Sequence, residues 1–269
     1  MKYELEQVLQ PLKTSQEKLN RLREFLQALL LKTLDQKGWT SHLIFLGGTA
    51  LRIVYQVSRY SEDLDFSWIG EKPLDFELLT RQLEKELRLS GFTVTLLKKG
   101  DKVVNSCFIK FPGLLYELEL SPLKSQNFSI KLEVDTHPPS GYLSEIRTIH
   151  QDFFFQTHHH DLSTLCAGKC CAVLSRAYVK GRDYYDLMWL AGKKAIPNYT
   201  YLTHALSQVS THSIPLDRST LKKMILAKIE KTDFSKVKAD VIPFLMRPDE
   251  SRYLTADSLS KLLLEWLSS

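Results

Sequence analysis

The residues best suited to chemistry lie in one stretch, FLGGTALRIVYQVSRYSEDLDFSW, residues 45–68. Asp63 and Asp65 are two apart. On a β-strand that spacing puts both carboxylates on one face and turns Leu64 and Phe66 to the other, toward a core. Ahead of them, Gly47 and Gly48 follow the apolar run LIFL. Without a Cβ the backbone there turns tightly and approaches a ligand closely. Amides at the start of a following helix, aided by its dipole, favour an anion such as phosphate. Paired carboxylates beside a phosphate cradle suit Mg²⁺-dependent phosphoryl or nucleotidyl transfer, because a hard cation takes oxygen ligands and bridges to phosphate.

These groups need elements to hold them. Residues 43–46 read as a strand, 49–57 as a helix, and the segment carrying Asp63 and Asp65 as a second strand. Upstream, Leu19, Leu22, Phe25, Leu26, Leu29 and Leu30 recur at helical steps, predicting an amphipathic helix over 15–36. Ser15 is its expected N-cap, with Lys18 where a capping box has Glu. Pro73 opens a helix over 74–89, closed by Gly91. Segments 92–97, 103–110, 114–120 and 128–135 read as antiparallel strands. Turns are expected at Lys99-Gly100-Asp101, at Pro112-Gly113 and over residues 124–127. In IKLEVD, Lys131, Glu133 and Asp135 share one face, and Ile130, Leu132 and Val134 the other.

Past Pro138-Pro139 the pattern changes. From about Asp161 it is helical: one helix carries Leu162, Leu165, Cys166, Lys169, Val173 and Arg176 on one side, and the next starts over 182–190. Lys169 and Arg176, seven apart, project from one face. Asp183 and Asp186 lie near the start of the following helix, where carboxylates suit the dipole. Further helices are expected over 201–208, 216–229 and 256–267. The fold class is therefore α+β, a mixed sheet flanked by helices (residues 1–150) followed by a helical domain (residues 151–269).

Composition sets the bounds. The 269 residues carry a net charge of +5, 43% hydrophobic and 25% charged residues, ordinary values for a soluble globular protein. The basic excess permits a nucleic-acid partner without establishing one. Lys222, Lys223, Lys228, Lys231, Lys236 and Lys238 make the C-terminal third basic, a solvated helix face before an RNA stripe. Four cysteines are too few for a disulfide scaffold and fit a reducing cytoplasm. No signal or membrane-spanning segment is read, so no membrane partner is expected. His158, His159 and His160, with Cys166 and Cys170 nearby, are read as an exposed run at a loop-to-helix junction rather than a zinc site, since Cys166 and Cys170 form a helical pair facing core. There is no P-loop motif and no kinase signature.

The runs GGTALR and RYSEDLDF resemble the nucleotidyltransferase-like toxins of the AbiEii/AbiGii type, in the DNA polymerase β-like nucleotidyltransferase superfamily. The resemblance spans about residues 43–190. It implies a glycine pair, a helix, Asp-x-Asp, a third carboxylate on a later strand, and a Lys…Arg-Asp-x-x-Asp block. It implies that Asp63 and Asp65 hold Mg²⁺, with Mn²⁺ as a substitute, and that Glu133 or Asp135 completes the site. Gly47, Gly48 and Thr49 hold the triphosphate. Lys169, with Arg176 on its face, meets the phosphates, and Asp183 or Asp186 supports the lysine or the acceptor. An ordinary helical ion-pair network accounts for the same four residues. Ser61 matches the family's serine before Asp-x-Asp and either binds phosphate or caps the turn. The implied reaction moves a nucleotidyl group from an NTP to a hydroxyl of RNA such as tRNA, or of a protein, in a cytoplasmic toxin with a cognate antitoxin. Two other classes stay open: a different Asp-x-Asp transferase, and a non-catalytic binding module that kept the fold.

Overall fold

The computed structural model describes residues 1–100, 103–209 and 216–267. In chain order the elements are α1 (Lys2–Leu9), α2 (Ser15–Gln36), β1 (Leu43–Leu46), α3 (Gly47–Ile53), β2 (Leu64–Trp68), α4 (Phe76–Leu89), β3 (Thr95–Gly100), β4 (Val104–Phe111), α5 (Leu114–Glu117), β5 (Phe128–Asp135), β6 (Ser144–His150), β7 (Phe154–His160), α6 (Leu162–Ser175), α7 (Gly181–Gly192), α8 (Tyr199–Val209), α9 (Arg218–Glu230), α10 (Phe234–Val241) and α11 (Ala256–Trp266). The chain forms two compact units. One comprises Met1–Val54, Tyr60–Pro138 and Ile146–His159; the other comprises Tyr55–Arg59, Pro139–Glu145 and His160–Ser269. A boundary near residue 150 was expected from sequence; the observed division also threads the short segments 55–59 and 139–145 into the helical unit.

The first unit is built on a mixed sheet, seven-stranded among the described residues, in the order β3-β4-β5-β2-β1-β7-β6. β1 and β2 are antiparallel, β2 and β5 parallel, and β5, β4 and β3 antiparallel in turn. β5 alternates buried and half-buried residues along its whole length, with Ile130, Leu132 and Val134 fully buried. This is the period of two that IKLEVD predicts. The fold class is α+β, as the sequence indicates.

Several elements differ from the sequence expectation. The cap of α2 is Thr14, not Ser15: its hydroxyl accepts from the Glu17 amide and the Glu17 carboxylate reaches back to the Thr14 amide, a complete capping box one residue earlier. The segment 114–120 is the helical turn α5 rather than a strand. Leu114 and Leu115 are buried side by side, and left-handed Gly113 (φ 76°) and Glu119 (φ 56°) bound the turn. A short apolar run does not separate the two states by periodicity. The helix after β1 starts at Gly47 and ends at Ile53, not over 49–57. The histidine run lies on β7, with His159 and His160 buried, because β7 pairs parallel with β1 (Phe45 opposite His159). Strands β6 and β7 and helices α1 and α10 were not foreseen. Cys166 and Cys170 are buried, as expected. Lys99 and Gly100, expected in a turn, pair with Ser106 and Asn105 as the end of β3, and Asp101 lies outside the described residues.

The cap placement gives a direct test. Thr14→Ala is predicted to lower stability by about 1 kcal/mol, the usual worth of an N-cap hydroxyl, while Ser15→Ala leaves it unchanged. Urea midpoints of the two variants check this; equal midpoints would refute the Thr14 capping box.

Candidate active site

In the sheet unit, register brings the acidic residues together. Along the parallel β2–β5 pair, Asp65 stands opposite Glu133 and Ser67 opposite Asp135, while Leu64 pairs with Leu132 and Phe66 with Val134. The buried apolar partners hold the strands in register, and the carboxylates emerge on the other face. Asp63 immediately precedes β2. Of the two carboxylates proposed on β5, Glu133 is therefore the one facing Asp65. Asp135 lies two residues on and accepts a hydrogen bond from the His137 amide at 2.8 Å.

The backbone leading into Asp65 is pinned from below by buried polar side chains. Gln27 of α2 donates Nε2 to the carbonyls of Ser61 (3.2 Å) and Glu62 (3.0 Å). Thr49 of α3, fully buried, donates its hydroxyl to the Asp63 carbonyl. Thr49 thus spends its side chain on positioning Asp63. Gln27 was not picked out from sequence. Its signal is a polar residue inside the apolar run 26–31, which needs a buried partner. Arg52, the last residue of GGTALR, pairs with buried Glu24 (Nε to Oε1, 2.5 Å) and lies over the Tyr60 ring. That ion pair ties α3 to α2.

Gly47 adopts φ 78°, and a Cβ built there would stand 2.5 Å from Asp65 Oδ2. Only glycine lets the backbone lie against this carboxylate. The donor set of Asp63, Asp65 and Glu133 is entirely carboxylate oxygen, which suits a hard divalent cation such as Mg²⁺ or Mn²⁺. Among the described residues no three His, Cys, Asp or Glu side chains stand in a metal-holding arrangement. Glu133 instead pairs with Lys131 Nζ at 2.8 Å. A partly exposed pair of this kind is worth about 1 kcal/mol or less, small against coordination of a divalent cation.

In the helical unit, Lys169, Arg176, Asp183 and Asp186 do converge, and Arg59 joins them. Lys169 Nζ lies 2.9 Å from Asp183 Oδ1 and 2.7 Å from Asp186 Oδ2. Arg176 Nε lies 2.8 Å from Asp183 Oδ2. Arg59 donates Nε and Nη2 to the two oxygens of Asp186, at 2.6 and 2.5 Å. Arg59 and Asp186 are fully buried, and the Lys169 side chain is 12% exposed. The expected face-sharing of Lys169 and Arg176 is realised as joint pairing with Asp183. Burial alone would raise the Asp183 carboxyl, but Lys169 and Arg176 outweigh it and hold it at about 2. Burial likewise disfavours the Lys169 ammonium, and the two carboxylates overcome that to raise it. Arg59 was missed because nothing in RYSEDLDF marks a lone arginine as buried. His160 takes a structural role, stacked on Tyr142 and edge-on to Tyr201.

Two outcomes follow from the charge cluster. Lys169→Met takes one of two cationic partners from each of two buried carboxylates, leaving Asp183 to Arg176 and Asp186 to Arg59, at a cost of up to roughly 3–5 kcal/mol, and is predicted to lower Tm by up to roughly 20 °C. A melting temperature near wild type would free Lys169 for ligand binding. The Asp183 carboxyl is depressed below its ordinary 3.8, so its stabilisation is present above that pH and is lost as pH falls toward about 2. The Tm gap between wild type and Asp183→Asn should therefore stay constant from pH 7 to about 4 and close below it; a gap that persists at pH 2 would contradict the assignment.

Residues 29–256 match the family described as nucleotidyl transferase AbiEii toxin, type IV TA system. Among solved structures, the chain is similar to a proposed nucleotidyltransferase from H. pylori, with a TM-score of 0.57, 19% identity, and 91% of this chain and 93% of that one covered. It is also similar to JHP933 from Helicobacter pylori, with a TM-score of 0.51, 19% identity, and coverage of 91% and 90%. At that identity the two structures speak for the fold. No curated protein matches the chain. The match over most of its length means that the chain belongs to the AbiEii nucleotidyltransferase toxin family of type IV toxin–antitoxin systems.

Proposed function

We propose that this nucleotidyltransferase moves a nucleotidyl group from an NTP to a hydroxyl of an RNA such as tRNA, with Mg²⁺ as its cation. The observation that carries the reading is the register of Asp65 against Glu133, with Asp63 just ahead of β2 and Gly47 packed on the Asp65 carboxylate. Asp63, Asp65 and Glu133 would hold the cation, which when bound neutralises charge on the phosphates and on the leaving pyrophosphate. The half-buried Gly47-Gly48 backbone, bare of Cβ atoms, would offer its amides to phosphate oxygens; Ser61 offers a hydroxyl nearby in sequence. Thr49 and Gln27 act beneath, by fixing the backbone of residues 61–63.

In the reaction the acceptor oxygen attacks the α-phosphorus as the α–β bridging P–O bond breaks. The hydroxyl proton passes to a β5 carboxylate, Glu133 in this reading, and pyrophosphate departs with the bond's electron pair. Lys169 and Arg176 pair with Asp183, and Lys169 and Arg59 with Asp186, so in this reading the five residues serve as the helical unit's framework. The enzyme acts in the cytoplasm as the toxin partner of a cognate antitoxin. Among the described residues no helix is long and apolar enough to cross a membrane.

The reading is tested by incubating the protein with each radiolabelled NTP, Mg²⁺ and total RNA, and resolving the products on a gel. Label should enter an RNA band; label in protein alone would move the acceptor to protein. Asp63→Asn, Asp65→Asn and Glu133→Gln are each expected to lower turnover more than about a hundredfold with Tm preserved, the scale of losing a metal ligand or base. Asp135→Asn should retain most activity; the reverse ranking of the two β5 variants would move the third carboxylate to Asp135. Gly47→Ala should lose activity comparably, since its Cβ and the Asp65 carboxylate cannot share one position. Full activity in that variant would show that Asp65 need not lie against residue 47.

A further inference from the structure

The helical unit holds a second constellation, next to its charge cluster along α7. Tyr185, Met188 and Trp189 of α7, with Glu250, Tyr253 and Leu254, line a cavity of about 320 Å³. This is near the lower end of ligand cavities, room for one flat ring and its sugar. Leu254 and Tyr185 are buried, whereas Tyr253 is half exposed. Tyr185 donates its hydroxyl to Glu250 Oε2 at 2.7 Å, which fixes the carboxylate in the wall. Glu250 Oε1 lies 3.7 Å from Arg247 Nε, beyond hydrogen-bond length, and can accept from a ligand. Cations flank the aromatic walls. Lys193 Nζ is 5.5 Å from the Trp189 ring centre and the Arg252 guanidinium 4.7 Å from that of Tyr253. Arg247 is largely exposed.

We infer that this cavity takes an unpaired nucleobase of single-stranded RNA. Flat aromatic walls stack any base, and Lys193, Arg247 and Arg252 supply the charge that its phosphates need. Glu250 accepts from a base amino group, a donor that adenine, cytosine and guanine carry and uracil lacks. A lysine or arginine side chain from a protein fits less well, because the Trp189 and Tyr253 rings already carry cations. The inference rests on the reading that the acceptor is RNA and adds where such an RNA is gripped.

The test is fluorescence anisotropy with labelled single-stranded 10-mers of A, C, G and U and the full chain. EDTA is present and NTP omitted, so that binding is read apart from transfer. Tyr253→Ala and Trp189→Ala should weaken binding about 5- to 150-fold, the equivalent of 1–3 kcal/mol of base stacking. Oligo-U should bind weakest, and Glu250→Gln should narrow its gap to the other three. Tyr253 is exposed enough that its variant keeps the fold if Trp189→Ala does not. Unchanged affinity in Tyr253→Ala overturns the inference, as does wild-type protein that binds none of the RNAs. So does capture of a labelled lysine-rich peptide that Tyr253→Ala abolishes. If RNA binding fails while the gel still shows label entering RNA, the pocket is wrong and the proposed reaction stands; if only protein is labelled, the acceptor reading fails too.

Discussion

The parallel pairing of β2 with β5 is the constraint on which the candidate site depends. On one face of the pair, Leu64, Leu132 and Val134 are fully buried and Phe66 nearly so. Each such side chain contributes roughly 1.5–3 kcal/mol when fully buried. A slip of one residue would turn that face outward and drive Asp65 or Glu133 into the core, an outcome penalised twice over. Apolar burial therefore fixes where two carboxylates stand, and the acidic face exists because the apolar face does. Gly47, Thr49 and Gln27 refine the position: one by making room, two by holding the backbone carbonyls that precede Asp65.

The helical unit follows a different logic. Arg59 and Lys169 face Asp183 and Asp186 with little or no solvent to share their charge, and the partly exposed Arg176 closes the set on Asp183. Each buried ion costs several kcal/mol to desolvate, and the arrangement holds only while every member is paired. Such a set specifies geometry more than it adds net stability. It joins the consecutive helices α6 and α7 to the segment 55–59, more than a hundred residues earlier in the chain. Gly181 serves the same packing, since a Cβ there would strike the Val237 carbonyl of α10. Charge at Lys169 is committed inside the unit, and the sheet unit's carboxylates and glycines carry the proposed chemistry.

Much of this was legible in the sequence where a pattern had one physical meaning. The period of two in IKLEVD places β5 and its face, and the helical steps from Leu19 to Leu30 place α2. Asp63 and Asp65 stand out by type and spacing, whereas spacing leaves Glu133 and Asp135 as alternatives on one face of β5. What was not legible depended on partners distant in sequence. Periodicity could not tell that LLYEL is a turn of helix, because left-handed Gly113 and Glu119 decide it. The histidines of β7 looked exposed because their burial comes from lying beside β1. Nor could spacing show whether Lys169 would meet a ligand or two carboxylates of the next helix. Arg59 sits four residues before Asp63, yet its partner is 127 residues away. Gln27 was visible as an oddity in an apolar run, but its task could be seen only once the loop at residues 61–62 was placed over it.

The central claim is that Asp63, Asp65 and Glu133 form one divalent-cation site. The most direct measurement is anomalous diffraction from crystals grown with Mn²⁺ and a non-hydrolysable NTP. The account predicts a Mn²⁺ peak within coordination distance of oxygens of all three residues, with Glu133 released from Lys131. A peak elsewhere, or one that leaves Glu133 on Lys131, would contradict it.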